Sequence, residues 1–145
     1  MSACTFFGHR KCPELDKNCI YEVVEKLILQ GVNVFFVGNQ VEFDAKVYSC
    51  LKQLREKYPH IQCSVVLAYF PKEKDCLDTM FPEEIDGIPP KFAIDRRNKW
   101  MVEKSEWVIC YVRVPWGGAY KFAELARKQG KRVINLCPGG VRFSE

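Results

Sequence analysis

The chain lacks most of the signatures that would place its chemistry at a glance. Its eight cysteines include no Cys-x-x-Cys pair, and only two histidines, His9 and His60, stand beside them. Zinc-type centres draw on closely spaced thiolates and imidazoles, so no metal site and no cofactor is expected. Cys4, Cys63 and Cys110 fall inside apolar strand patterns, where a free thiol behaves as a small hydrophobe. That usage fits a reducing compartment. No apolar run approaches the roughly 20 residues that span a bilayer, and no signal-peptide pattern opens the sequence. A cytoplasmic protein without membrane attachment is therefore expected. Low-complexity tracts are missing as well, and 48% of the residues are hydrophobic, so residues 1–145 are expected to fold throughout as a single domain. Long basic runs are also lacking. The net charge of +4 comes from scattered lysines and arginines, which suits an anionic small ligand and argues against a dedicated nucleic-acid surface.

What is there is a repeated strand–loop–helix plan. Ala3-Cys4-Thr5-Phe6-Phe7 reads as a strand ending at Gly8-His9-Arg10, and Leu15 to Gln30 carries apolar residues at helical spacing up to Gly31. Residues 32–37 form a second buried strand, Gly38-Asn39-Gln40 a turn, and a helix follows from about Glu42 to Tyr58. Asp44 falls in the first turn of that helix, where it either complements the helix dipole or touches a ligand. Residues 63–68 make a third strand. The stretch from Tyr69 to Lys91 holds four prolines and reads as a long loop with a short helical turn, placed to act as a lid. Residues 92–104 form a helix in which Ile94, Arg97 and Met101 share a stripe, so Arg97 faces the sheet while Arg96 and Lys99 face water. A guanidinium on an apolar stripe needs a partner: an internal carboxylate or carbonyl, or else a ligand phosphate or a reacting sugar. Strands at 107–112 and 132–136 complete the set. Alternating strands and helices predict an α/β fold, a single Rossmann-like three-layer domain whose mainly parallel five-stranded sheet carries helices on both faces.

The most informative stretch is Trp116-Gly117-Gly118-Ala119-Tyr120-Lys121-Phe122-Ala123-Glu124, between the strand at 107–112 and its helix. Paired glycines admit a ligand close to the backbone, and the free N–H groups of a helix start favour phosphate. The same turn also joins strand to helix in proteins with no ligand there. Glu124 follows Gly117 by about two helical turns and shares its face, yet Lys121 and Lys128 are close enough to make it a surface ion-pair residue. In a parallel sheet the crevice lies beyond the carboxyl ends of the strands, where this turn meets Gly8-His9-Arg10 and Gly38-Asn39.

Four segments in order, Gly8-His9-Arg10, Gly38-Asn39 with Phe43-Asp44, Ile94-Asp95-Arg96-Arg97-Asn98-Lys99-Trp100-Met101 and Trp116-Gly117-Gly118-Ala119, resemble small bacterial proteins of the SLOG superfamily. That superfamily includes the Lonely Guy phosphoribohydrolases and the DNA-processing protein DprA. In the Lonely Guy enzymes the signature is Pro-Gly-Gly-x-Gly-Thr-x-x-Glu, preceded by Arg-Lys-x-x-Met. Gly117, Gly118, Glu124, Arg97 and Met101 match it, whereas Trp116, Tyr120 and Lys121 replace the proline, the third glycine and the threonine. The resemblance implies that the glycines hold a 5′-phosphate and that Arg97 and Glu124 would be catalytic in an N-glycosidase. It also implies a homo-oligomer.

Two functions follow as expectations. The first is a binder of a nucleotide or of an NAD-derived, ADP-ribose-like molecule, acting as a sensor or sequestering protein in nucleotide signalling or phage immunity. Its ligand-binding residues would be Gly8, His9, Arg10, Gly38, Asn39, Asp44, Arg97, Trp116, Gly117, Gly118, Tyr120 and Lys121, with Trp116 or Tyr120 either stacked on a base or simply packed. The second is a nucleoside-monophosphate phosphoribohydrolase using Glu124 and Arg97, its carboxylate positioning water or an oxocarbenium-like ribose. A third, single-strand DNA binding like that of DprA, is disfavoured by the mild, scattered charge.

Overall fold

A computed structural model describes residues 2–71 and 78–143. The elements run β1 (Ala3–Gly8), α1 (Lys17–Leu29), β2 (Val34–Val37), α2 (Glu42–Lys57), β3 (Gln62–Val66), β4 (Thr79–Met80), a 3-10 turn (Glu83–Ile85), α3 (Pro90–Glu103), β5 (Trp107–Tyr111), α4 (Gly118–Lys128) and β6 (Arg132–Asn135). The strands form one sheet in the order β4-β3-β2-β1-β5-β6, and every neighbouring pair is parallel. Parallel pairing demands crossovers, and the helices supply them on both faces.

The period-two alternation of β1 shows how the chain divides its core. Cys4 and Phe6 point into a cluster with Ile20, Val24 and Leu27 of α1 and Phe43, Val47 and Leu51 of α2. Phe7 points the other way, into a cluster with Trp100 and Met101 of α3 and Phe122, Ala123 and Ala126 of α4. Between them Thr5, fully buried, satisfies its hydroxyl by donating to the Phe36 carbonyl at 2.9 Å. Cys4, Cys12, Cys50, Cys63 and Cys110 are buried free thiols, packed as hydrophobes, while Cys76 lies outside the described residues.

The predicted sheet was one strand short. β4 is two residues long, too brief to leave a periodic signal, and it lies inside the stretch read as a loop from Tyr69 to Lys91. Residues 72–77 of that stretch are outside the described set, so the lid expectation falls partly on them. From Asp78 onward the stretch is built into the domain, while Tyr69 and Phe70 before it are exposed. Asp78 adopts φ 77°, and its carboxylate takes a bidentate ion pair from Arg55 (2.8 and 2.9 Å) and the Tyr48 hydroxyl at 2.8 Å, which fastens β4 to α2. Ile85 of the 3-10 turn is buried, and Pro90 starts α3 at a position where its missing N–H costs nothing.

Sheet order fixes where a ligand crevice can form. From β1 the chain steps to β2, β3 and β4 on one side and to β5 and β6 on the other, so β1 and β5 flank the point where the strand order reverses. The loops that leave their carboxyl ends run in opposite directions and open a gap between them.

Candidate functional site

At that gap lies a cavity of about 330 Å³. Its walls come from the end of β1 with Gly8, His9 and Arg10, from the β2–α2 turn with Gly38, Gln40, Val41 and Asp44, from α3 and from the start of α4.

Arg97 is the centre of it. Its stripe on α3 turns it inward, and the side chain is only 2% exposed although it lines the cavity. Nη1 donates to the Val66 carbonyl at 2.8 Å and Nε to the Asn98 side-chain oxygen at 2.8 Å. Nη2 makes no hydrogen bond to any described residue. The guanidinium lies flat over Gly38, where an added Cβ would come within 3.1 Å of Cζ and both terminal nitrogens. Glycine at 38 thus serves close approach rather than an unusual backbone angle, and a larger residue there would make the guanidinium shift by a few tenths of an ångström.

Asp44 faces it across the cavity, 7% exposed. Its Oδ2 accepts from the Gln40 amide at 2.9 Å and the Val41 amide at 3.4 Å, which closes the turn at the start of α2. Asp44 thus stands in the first turn of α2, where it complements the helix dipole, and also borders the cavity. Burial pushes the Asp44 carboxyl up and the Arg97 guanidinium down, and the attraction between the two charges offsets part of each shift. They form no direct ion pair, so the cation retains unused capacity for an anion.

The glycine turn adds to the same field. Gly117 takes φ 93°, which only glycine adopts readily, and caps α4 without a side chain. The first backbone bond within α4 is Lys121 N–H to the Gly117 carbonyl at 3.0 Å, so the amides of residues 118 to 120 precede any intrahelical partner. Gly118 and Ala119 line the cavity, which places the positive end of the helix toward it.

The other predicted residues divide. Arg10 lines the cavity from an exposed position. His9 accepts the Arg113 amide at Nε2 (2.9 Å), which puts its ring proton on Nδ1, and its ring meets Tyr111 edge-on at 6.0 Å. Asn39 sits at the exposed tip of the β2–α2 turn, outside this cavity, and accepts from Gln40 Nε2 at 2.9 Å. Trp116 is 66% exposed and does not reach the cavity. Tyr120 packs on Phe143 with ring centroids 6.0 Å apart, the packing alternative rather than an open stacking face. Lys121 bridges to Asp95 at 2.6 Å and so ties α4 to α3. Glu124 also lies outside the lining, held by Arg127 through two bonds of 2.8 and 2.7 Å. Its ion-pair partner is thus Arg127, three residues on, instead of either lysine considered from spacing.

Sequence reasoning missed Phe6, Phe7, Gln40, Val41, Ile94, Asn98, Met101 and Ala119 as wall residues. Asn98 was the most accessible of these, since it follows Arg97 directly and only an oriented acceptor can steer a buried guanidinium.

His9 gives this rim a pH signature. Burial, then the charge of Arg113, lower its pKa from 6.5. Neutral His9 is needed to accept the Arg113 amide, so the stability it contributes is complete above 6.5 and is lost as pH falls from there through the lowered folded value. An NMR titration is expected to show His9 changing charge below 6.5, and His9→Gln is expected to flatten the dependence of Tm on pH in that window. A His9 titration at or above 6.5 would contradict this geometry.

No protein-family model and no curated protein sequence matches the chain. Among solved structures, DNA processing protein A (DprA) from Streptococcus pneumoniae is similar, with a TM-score of 0.67 at 18% sequence identity, covering 91% of this chain and 49% of that one. The chain therefore spans about half the length of that relative. At this identity the match establishes a shared Rossmann-like α/β fold.

Proposed function

We propose that the chain binds a nucleotide or an NAD-derived, ADP-ribose-like molecule at the carboxyl ends of its strands, as a sensor or sequestering protein in nucleotide signalling or phage immunity. The observation that carries the reading is Arg97: a cation 2% exposed, facing a cavity of about 330 Å³, with a carbonyl and an amide as its hydrogen-bond partners and no direct ion pair. Burying such a charge is costly unless an anion joins it, and a phosphate placed there also meets the amino end of α4. Arg10 adds a second, solvent-side cation.

Binding is favoured over hydrolysis by the position of Glu124. An N-glycosidase needs its carboxylate beside the scissile bond, and Glu124 is outside the cavity wall and bound to Arg127. The similar protein's description as a DNA processing protein suggests a strand-binding alternative, but the cavity is small and the basic residues are scattered rather than gathered into a stripe along which a strand could lie. A homo-oligomer is part of the proposal, supported by the exposed apolar side chains Phe92, Ile94 and Trp116 on α3 and before α4.

The test is mass spectrometry of small molecules held and released after incubation with AMP, ADP-ribose, cyclic ADP-ribose isomers and cyclic nucleotides. Intact ligand recovered only on heat release is the expected result. Free base with ribose phosphate, abolished by Glu124→Ala, would overturn the binding reading in favour of hydrolysis.

A further inference from the structure

A second cavity, of about 300 Å³, lies on the far side of the β2–α2 turn. It shares Gly38, Val41 and Asp44 with the Arg97 cavity, so the two are separated only by that turn. The chemistry changes across it. Where the first cavity is flanked by two arginines, the second is lined chiefly by Val41, Ala45, Tyr48 and Val65.

This apolar hollow is braced open. Tyr48 is held by its hydroxyl bond to Asp78 at 2.8 Å, Asp78 is clamped by Arg55, and Lys52 covers the Tyr48 ring with its ammonium 4.8 Å from the centroid. The wall opposite is β3, paired in register with both β2 and β4. The hollow opens to solvent beside Asn39 and Ala45, both exposed, so its apolar surface stays wet unless a partner covers it. On this side α2 contributes Asp44, Tyr48 and the exposed Ala45, whose small side chain leaves the hollow unfilled.

Asp44 stands on the divide. Its Oδ2 is used by the Gln40 and Val41 amides, while Oδ1 makes no hydrogen bond to any described residue. A carboxylate so placed is an acceptor for hydroxyls, as in dinucleotide folds where an acidic residue takes a ribose hydroxyl. An anion cradle, then a hydroxyl acceptor, then an apolar hollow is the order of phosphate, ribose and base in a nucleotide.

We propose that the hollow between Tyr48 and Val65 is the base subsite of this chain, taking the heterocycle of a nucleotide whose phosphate lies against Arg97 and whose ribose crosses Asp44. It rests on the nucleotide reading of the Arg97 cavity and assigns the base to the α2–β3 side, away from Trp116 and Tyr120.

The test compares AMP and GMP with ribose 5-phosphate, which keeps sugar and phosphate but has no base, by calorimetry on the unaltered chain and on Ala45→Phe. The substitution fills the hollow from an exposed helix position and leaves Arg97 untouched. Expected is tighter binding of a nucleotide than of ribose 5-phosphate by about tenfold or more, a gap that Ala45→Phe removes by weakening the nucleotide alone. Cross-relaxation between base protons and the Tyr48 ring in NMR is expected as well. Nucleotide affinity unchanged in Ala45→Phe overturns the base subsite and leaves the Arg97 reading standing. Equal weakening of nucleotide and ribose 5-phosphate also overturns it, since the substitution then acts on the shared cradle. Failure of all three probes to bind the unaltered chain overturns both.

Discussion

Arg97→Met is expected to leave the chain folded and to weaken binding of an anionic ligand by about 30-fold or more, the scale of losing one partner of a buried charged contact, about 2 kcal/mol or above. Methionine is close in length to the arginine stem and flexible enough to refill the space between Val66 and Gly38. The opposing terms within the unliganded protein are of similar size. The Val66 carbonyl loses its donor, which costs about 1–3 kcal/mol, while the desolvation penalty of a cation 2% exposed disappears. Net stability is therefore expected to change by about 2 kcal/mol or less, a shift of several degrees in Tm. Arg97→Lys is expected to recover only part of the affinity, because an ammonium cannot lie flat over Gly38 while reaching both the Val66 carbonyl and the cavity. Calorimetry with AMP or ADP-ribose, paired with thermal melts, checks both. Collapse of the fold in Arg97→Met would mean that the guanidinium is an internal anchor first, and unchanged affinity in a folded variant would remove it from the ligand site.

The part of this site that sequence could reach is the part governed by short-range rules. Arg97 was legible because helical periodicity places it on the stripe of Ile94 and Met101, and a charge on such a stripe demands a partner. Gly118 was legible as part of a paired-glycine turn between strand and helix, a turn that also occurs with no ligand, and Gly117 shapes that turn without lining the cavity. What stayed hidden depends on distances between segments. Glu124 follows the glycines at the spacing of a catalytic signature, but three residues further on Arg127 pairs with it, and the cavity lies at the other end of that face. Asp44 offered two readings because the same carboxylate closes its own turn and borders both cavities. Trp116 drew attention as an aromatic next to glycines and turned out to face solvent. β4 was hidden for a different reason: two residues do not make a pattern, and the strand exists because Asp78 is clamped to α2 by Arg55 and Tyr48.

Gly8→Ala tests the least obvious of these long-range dependences, and its effect is expected to be the largest on stability. Gly8 closes β1 with no positive φ, so backbone freedom is not what requires glycine there. The requirement is space. A Cβ at position 8 would lie 2.2 Å from Phe43 Cγ, 2.4 Å from Cδ2 and 2.6 Å from Phe43 Cβ, and Phe43 is fully buried in the first turn of α2. Neither partner can yield cheaply, since β1 is paired on both sides, with β2 and with β5. Overpacking of this kind costs about 1–3 kcal/mol or more, so Tm is expected to fall by about 5–10 °C. The displacement also has a direction. α2 must move away from β1 and would carry Asp44 and the turn over Arg97 with it, so ligand affinity is expected to fall along with stability. Phe43→Leu supplies the control. Alone it is expected to cost about 1 kcal/mol for the lost ring, but in Gly8→Ala/Phe43→Leu the smaller side chain makes room for the new methyl, and the two losses should fall short of their sum by about 1 kcal/mol or more. Denaturant melts of the two single variants and the double variant measure that difference. Simple additivity would mean that the contact between β1 and α2 is slack, and that the floor of the cavity is not fixed by it.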